Sequence, residues 1–215
     1  MYIDMHSHSV ASDDSRATVE QYLKWINAQR KKGFQIDGIV LTEHRQFDAE
    51  SDYSDLAKQY DVLVFKGSEL DTRYGHVLVY GVTEQLTKAI PFNDVTMDTH
   101  ELLAEAARTG AFGVPAHPGR SGIGLVEWQA KGIEFPDLKV VERVNAGNRP
   151  EEQEKADKVA EELGYLGIGG SDAHFTSGIA KGMTQFPDGI RDEKDLVGAL
   201  HEGNFHGVLI EETVQ

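Results

Sequence analysis

The 215-residue chain contains no cysteine. Disulfides and thiolate metal ligands are excluded, so any metal it binds must be held by His, Asp or Glu. No apolar run approaches the roughly 18 residues of a membrane span, so no membrane partner is expected. The N-terminus lacks the charged-then-apolar pattern of a secretory leader, and a cytoplasmic protein without a cleaved leader is the expectation. Basic side chains are scarce: 21 Lys and Arg stand against 36 Asp and Glu, a formal net charge of -15. The densest basic cluster is Arg30-Lys31-Lys32. Duplex nucleic acid is bound largely through phosphate neutralisation by Lys and Arg, so a duplex partner is disfavoured. A short single-stranded oligonucleotide or a small phosphate ester held by metals stays open. Divalent ions would offset part of the negative charge.

No repeat, low-complexity segment or linker interrupts the sequence, which reads as one domain over residues 1–215. Near-continuous apolar runs alternate with helical patterns. Strands are expected at Tyr2 to Ser9, Asp37 to Thr42, Val62 to Phe65, His76 to Gly81, Ala111 to Ala116, Leu138 to Val144 and Leu166 to Gly170. Helices are expected at Thr18 to Lys32, Asp48 to Tyr60, Thr99 to Thr109 and Pro150 to Leu163. A short helix is expected near Gly122 to Lys131, and a last helix and strand at Asp192 to His201 and Gly207 to Ile210. This alternation argues for an α/β fold with a mostly parallel sheet, and six or seven units suggest a barrel. Residues 82–98 read as a loop-rich insertion and the one candidate lid.

The histidines are distributed unevenly over these units. His6 and His8 lie two apart on the first strand and share a face, because strand side chains alternate with period two. His44, Glu69, His117, Asp172 and His174 also fall at the C-terminal ends of expected strands. His76 opens the strand after Glu69, at the same edge if that strand runs antiparallel, and Asp13 lies on the first loop. In parallel α/β folds this edge carries the active site. The remaining histidines, His100, His201 and His206, belong to helix ends or to the opposite edge. Nine candidate ligands exceed the four to six donors that one ion takes, so two or three ions are expected, with Glu69 as bridging carboxylate. Imidazole and carboxylate together suit Zn, Mn or Fe, whereas Mg and Ca prefer all-oxygen sites. Adjacent ions acidify a shared water and neutralise phosphoryl or carbonyl oxygens, so metal-assisted hydrolysis by a metal-activated hydroxide is the expected reaction class.

Six short motifs occur in order: Asp4-x-His6-x-His8, Thr42-Glu43-His44, Gly67-Ser68-Glu69, Gly75-His76, Ala116-His117-Pro118 and Ser171-Asp172-Ala173-His174. Together they resemble the PHP (polymerase and histidinol phosphatase) superfamily of metal-dependent phosphoesterases over nearly the whole chain. The resemblance implies a distorted seven-unit (β/α) TIM-like barrel and a two- or three-metal site. It implies one ion at His6, His8, Glu69 and Asp172, a second at Glu69, His76 and His117, and a third at Asp13, His44 and His174. Glu69 and Asp172 would then be the catalytic carboxylates. Asp4 is expected below the metals and Glu43 to alternate away from His44, neither as a ligand. Arg120 is the expected grip on phosphate. Asn145, Arg45 and Arg16 are further candidates for substrate, with Arg73 and Arg149 on loops at the same edge. The alternatives are a hydrolase of a non-phosphate bond, amidohydrolase-like, in which Lys66 would be the lysine available for carboxylation, or a non-catalytic metal-binding accessory domain.

Overall fold

A computed structural model describes residues 1–214. Seven strands form one curled sheet in the order β5-β4-β3-β2-β1-β8-β9, and β6 and β7 form a separate two-stranded ribbon. The parallel heart is β1 (Tyr2–Ser7), β2 (Gly38–His44) and β3 (Leu63–Thr72). The expectation of a mostly parallel sheet is corrected on both flanks. β3 turns directly into β4 (Gly75–Tyr80) as a hairpin, and β4 pairs antiparallel with β5 (Phe112–Pro115). On the other flank β8 (Gly182–Gln185) runs antiparallel to β1 and to β9 (His206–Leu209). The architecture is thus a curled α/β half-barrel closed by the parallel ribbon of β6 (Val140–Asn145) and β7 (Leu166–Gly170), not seven successive β/α units.

The ribbon joins the sheet through the segment that follows β7. Asp172 N–H donates to His6 O at 2.7 Å and His8 N–H to Ala173 O at 2.9 Å. This close approach explains the glycines of β7. A Cβ on Gly169 would lie 2.1 Å from Met183 O, and one on Gly170 would lie 2.4 Å from the His6 Cβ.

The concave face holds an apolar core built from Ile3, Met5, Val40, Phe65, Leu78, Val114, Val140 and Ile168. Helix α7 (Glu193–Glu202) plugs its lower end with Leu196, Val197 and Leu200. The outer face of the parallel strands is covered by α1 (Val19–Arg30), whose Val19, Tyr22, Leu23 and Ile26 recur at helical spacing and are buried against Ile39 and Leu41. The Thr18 hydroxyl accepts Gln21 N–H and the Gln21 side chain accepts Thr18 N–H, a capping box that starts this helix. The other helices are α2 (Ser54–Tyr60), α3 (Glu84–Ala89), α4 (Thr99–Thr109), α5 (Leu125–Gln129) and α6 (Pro150–Leu163). Among the described residues no helix is long and apolar enough to cross a membrane.

Two local expectations change. The helix foreseen from Asp48 begins only at Ser54. Arg45 turns left-handed (φ 55), and the Asp48 carboxylate accepts Ser51 N–H and Tyr53 O–H, holding this segment in a side-chain-bonded turn instead of a helix. Residues 82–98 pack Leu86, Ile90 and Met97 onto Leu70, Val77 and Val79 of the β3–β4 hairpin. The segment read as a candidate lid covers the hairpin's outer face.

The tight approach of β7 to β8 predicts that Gly169→Ala lowers stability by about 1–3 kcal/mol. Gly198→Ala, inside α7 with open space around its Cα, raises it by about 0.5–1 kcal/mol. Urea midpoints of the two variants test the contrast.

Candidate metal centre

The upper rim of the half-barrel gathers the histidines through strand register. His44 of β2 stands beside Glu69 of β3 in the parallel pairing, and His76 of β4 stands opposite Asp71, two residues beyond Glu69. β1 contributes His6 through an irregularity: Asp4 pairs with Ile39 but Ser7 with Leu41, one residue too many on β1. Such a bulge resets the alternation of side chains. Ile3 and Met5 below it can therefore face the core while His6 and His8 above it face the same interior. His117 and Asp172 follow β5 and β7 with left-handed backbone (φ 30 and 52), turns that aim both side chains back over the strand ends.

Glu69 is the hub. Its Oε1 lies 2.9 Å from His76 Nδ1 and 2.9 Å from His117 Nε2. Its Oε2 lies 3.2 Å from His6 Nε2, 3.3 Å from His8 Nε2 and 3.1 Å from His44 Nδ1. Asp172 Oδ1 lies 3.4 Å from His6 Nε2 and 3.5 Å from His8 Nε2. Glu69, His6, His8 and His117 are buried. Three donor groups emerge: His6, His8 and Asp172; Glu69, His76 and His117; and His8, His44 and His174.

The electrostatics set buried carboxylates against buried imidazoles. Burial opposes charge on both Glu69 and Asp172, but the surrounding imidazoles, His6 first, outweigh it and hold both carboxyls well below the usual range. Burial likewise opposes protonation of His6, and the charges of Glu142, Asp172 and Glu69 override it and hold His6 well above its usual value. Against burial, hydrogen bonds to Asp172 and Glu69 bring His8 up to about 8. His117 moves down, chiefly through burial. The imidazoles are thus recruited as counter-charges to buried carboxylates. His6 Nε2 and His8 Nε2 face each other at 3.0 Å, and His44 Nε2 and His174 Nε2 at 3.4 Å. Two ring nitrogens that point at one another need a shared proton or cation between them. The buried Nδ1 atom of His117 also has no hydrogen-bond partner among the described residues. Converging lone pairs and carboxylate oxygens, with no thiolate, fit divalent Zn, Mn or Fe.

Eight of the nine expected ligands meet here; Asp13 does not. It is exposed and reaches only Arg45, at 3.4 Å. The neighbouring Asp14 occupies the expected place, with Oδ2 3.3 Å from His44 Nε2 and 3.2 Å from His174 Nε2. The loop from Val10 to Ala17 is closed by Val10 N–H to Ala17 O at 2.9 Å, a turn that sequence spacing does not encode. Asp71, also unforeseen, lies 3.6 Å from His76 Nε2 and 3.3 Å from Arg45. Glu43 turns away from the centre, as its alternation implied, and accepts from Ser9 and Ser12. Asp4 accepts three backbone N–H groups, from His6, Ser171 and Ala180, and burial raises its pKa to about 6. The Tyr22 hydroxyl lies 2.6 Å from His8 O and 2.9 Å from Ala173 O, bracing two ligand-bearing segments from α1. Glu142, missed in the sequence, is fully buried beside His6 and His117. The available signal was a Glu in the middle of an otherwise buried strand. His100, His201 and His206 stay outside: His100 stacks on Phe135, His201 meets Phe112 edge-on, and His206 is exposed at the start of β9.

The cationic candidates divide. Arg120 Nη1 lies 2.8 Å from Asp172 Oδ2, and its Nη2 donates to Asn145 Oδ1 at 3.1 Å. Asn145 Nδ2 in turn donates to Glu142 at 2.9 Å. Arg45 bridges Asp13 and Asp71 at the rim. Exposed Arg16 donates its backbone N–H to His174 O. Arg73 leans towards Asp98 at 3.9 Å, and Arg149 bonds Glu151 and Glu152 of its own helix. The last two turn away from the centre.

If Asp14 completes the group around His44 and His174, Asp14→Asn lowers the metal content of the saturated protein, whereas Asp13→Asn leaves it unchanged. Elemental analysis after removal of free metal distinguishes them.

Comparison with known proteins follows the same lines. Residues 150–205 match the PHP-associated family model (PHP_C). No curated protein sequence matches the chain. Among solved structures, PsfC from Pseudomonas syringae is similar over 99% of this chain and 92% of its own, at 21% identity and TM-score 0.68. A two-domain Bacteroides vulgatus protein containing a predicted PHP-like metal-dependent phosphoesterase is similar over 98% of this chain and 65% of its own, at 22% identity and TM-score 0.63. A lesion-specific endonuclease from Pyrococcus furiosus is similar over 96% of this chain and 57% of its own, at 13% identity and TM-score 0.65. These likenesses concern the fold. The PHP-associated match is confined to residues 150–205.

Proposed function

We propose that the chain is a metal-dependent phosphoesterase that hydrolyses a small phosphate ester, a nucleotide or the end of a short single-stranded oligonucleotide. The observation that carries this reading is Arg120, held by Asp172 and Asn145 at the edge of the donor cluster. A guanidinium fork beside a cation-binding centre matches the charge and shape of a phosphate. The reading takes residues 1–215 as one catalytic domain in the cytoplasm, with two or three ions of Zn, Mn or Fe.

His6, His8, Glu69 and Asp172 would hold one ion, Glu69, His76 and His117 a second, and His44, His174 and Asp14 a third. When bound, such ions supply Lewis acidity towards phosphoryl oxygens and make water a stronger acid. Glu69 would serve as the shared ligand, since its two oxygens face different imidazole sets. Asp172 divides its oxygens between the ligand cluster and Arg120, so that one carboxylate sets the distance from cluster to guanidinium. Asn145 fixes the second edge of that guanidinium. Arg45 and Arg16, farther out on the rim, suit additional phosphates of a longer substrate. Phe175, next to His174 and 57% exposed, offers an apolar face for a base or another non-phosphate part. With residues 82–98 committed to the hairpin's outer face, the mouth stays open.

The amidohydrolase-like alternative is weakened by Lys66. Its ammonium donates to Ser51 O at 2.9 Å and lies 5.7 Å from the centre of the Phe47 ring, on the opposite face of β3 from Glu69. A carboxylated lysine at that position would not reach the ligands. The accessory-domain alternative would not require so full a ligand set.

Phosphate release by Mn-loaded protein across phosphomonoesters, nucleotides and short oligonucleotides tests the reading. Arg120→Ala is expected to lose about 10–100-fold in kcat/KM, the equivalent of a charged hydrogen bond of about 1.5–3 kcal/mol. Activity on a carboxylic ester or lactone, with none on phosphates, would overturn the reading.

A further inference from the structure

His6 and His8 both turn Nε2 to the centre, and each turns Nδ1 to a carboxylate outside the ligand set, directly or through a hydroxyl. His6 Nδ1 lies 2.9 Å from Glu142 Oε1. His8 Nδ1 lies 3.4 Å from Ser12 Oγ, which donates to Glu43 Oε2 at 2.6 Å. We propose that Glu142 and the Ser12–Glu43 pair are positioning groups that fix the direction and protonation of the two imidazoles, keeping Nε2 free for metal. The proposal rests on reading the cluster as a metal centre.

Glu142 has features that general stability does not demand. It is fully buried on β6, where an ionised carboxylate costs several kcal/mol unless its oxygens are satisfied. Its partners are His6, the His117 N–H at 2.6 Å and the Asn145 amide at 2.9 Å. With Oε2 accepting from His117 N–H and the Asn145 amide, Oε1 stands as the acceptor for His6 Nδ1 and favours the neutral ring that carries its proton there. The lone pair then faces Glu69, Asp172 and His8. The same carboxylate reaches across the seam between β5 and β6, which belong to different sheets, and holds the N–H of His117, a residue with φ 30. One side chain thus orients two ligands of different donor groups and, through Asn145, the guanidinium of Arg120.

The second relay is built from different parts but has the same end. Glu43 is buried and accepts from Ser9 N–H, Ser9 O–H and Ser12 O–H. The Ser12 hydroxyl spends its proton on Glu43, so it can only accept from the His8 ring and from His44 N–H at 3.0 Å. An acceptor at Nδ1 again selects the form of His8 with its proton there. A metal-bound His commonly donates its other N–H to a carboxylate, and loss of such a partner typically costs 10–100-fold in metal affinity.

The test uses Glu142→Gln and Ser12→Ala, with zinc affinity measured by chelator competition and ring 15N NMR of the zinc-loaded proteins. The proposal expects wild type to show Nδ1–H signals for His6 and His8. Glu142→Gln should lose about 10–100-fold in affinity, with a shift or faster exchange of the His6 signal alone. Ser12→Ala should do the same at His8 alone, and it guards against failure of the Glu142 variant to fold. Zinc affinity and ring signals unchanged in both variants would overturn the proposal. So would weakened binding with unaltered Nδ1–H signals, because the carboxylates would then support structure only. If wild type binds no zinc or other divalent ion, the metal reading itself fails, an outcome separate from the previous two.

Discussion

One buried carboxylate surrounded by five imidazoles organises this protein. Glu69 meets His6, His8, His44, His76 and His117 within 3.3 Å. An isolated carboxylate there would face a large desolvation penalty, and the rings would face each other's lone pairs. Each is tolerable only in company with the other or with a cation. The strands supply the company. β3 runs long enough to carry Glu69 beyond the core, β2 brings His44 level with it, and the tight hairpin to β4 returns His76 beside it. The left-handed turns at His117 and Asp172 cost on the order of 1–3 kcal/mol each. They are held by His117 N–H to Glu142 and Asp172 N–H to His6 O.

The same constraint explains why polar residues lie so deep in the fold. Asp4, Glu43 and Glu142 are all buried, and none of the three is a ligand candidate. Asp4 fastens the segments around Ser171 and Ala180 to β1, Glu43 orders the loop under His8, and Glu142 spans the seam between the two sheets. The rim then exposes Arg120, Arg45, Arg16 and Phe175 around a centre that would otherwise repel anions in a chain of net charge -15. Under the proposed reading, metal binding and phosphate attraction are one electrostatic problem in this chain.

Much of this could be read from the residues. His6-x-His8, His44, His117, Asp172 and His174 lie at or just past strand ends whose apolar runs are visible in the sequence, and period two aligns the pairs; Glu69, expected at a strand end, lies inside β3, which runs on to Thr72. What could not be read depends on local irregularity or on distant pairing. The bulge between Asp4 and Ser7 has no residue signature, yet it decides which face His6 shares with the core. The loop closure from Val10 to Ala17 brings Asp14 instead of Asp13 to His44. The hairpin of β3 and β4 broke the expected parallel order because strands with a tight connection pair antiparallel without a crossover helix, and β8 broke it through a pairing with β1 that is distant in sequence. Glu142 lay hidden in a strand whose partner residues stand 136 and 25 positions away in sequence.

The central claim, that Glu69 joins the donor groups into one shared centre, is tested most directly by titrating metal-free protein with Zn or Mn in a calorimeter, wild type beside Glu69→Gln. The account predicts two or three ions per wild-type chain and the loss of more than one of them in the variant, since a single carboxylate serves more than one group. Loss of one ion alone, or full stoichiometry in Glu69→Gln, would contradict it.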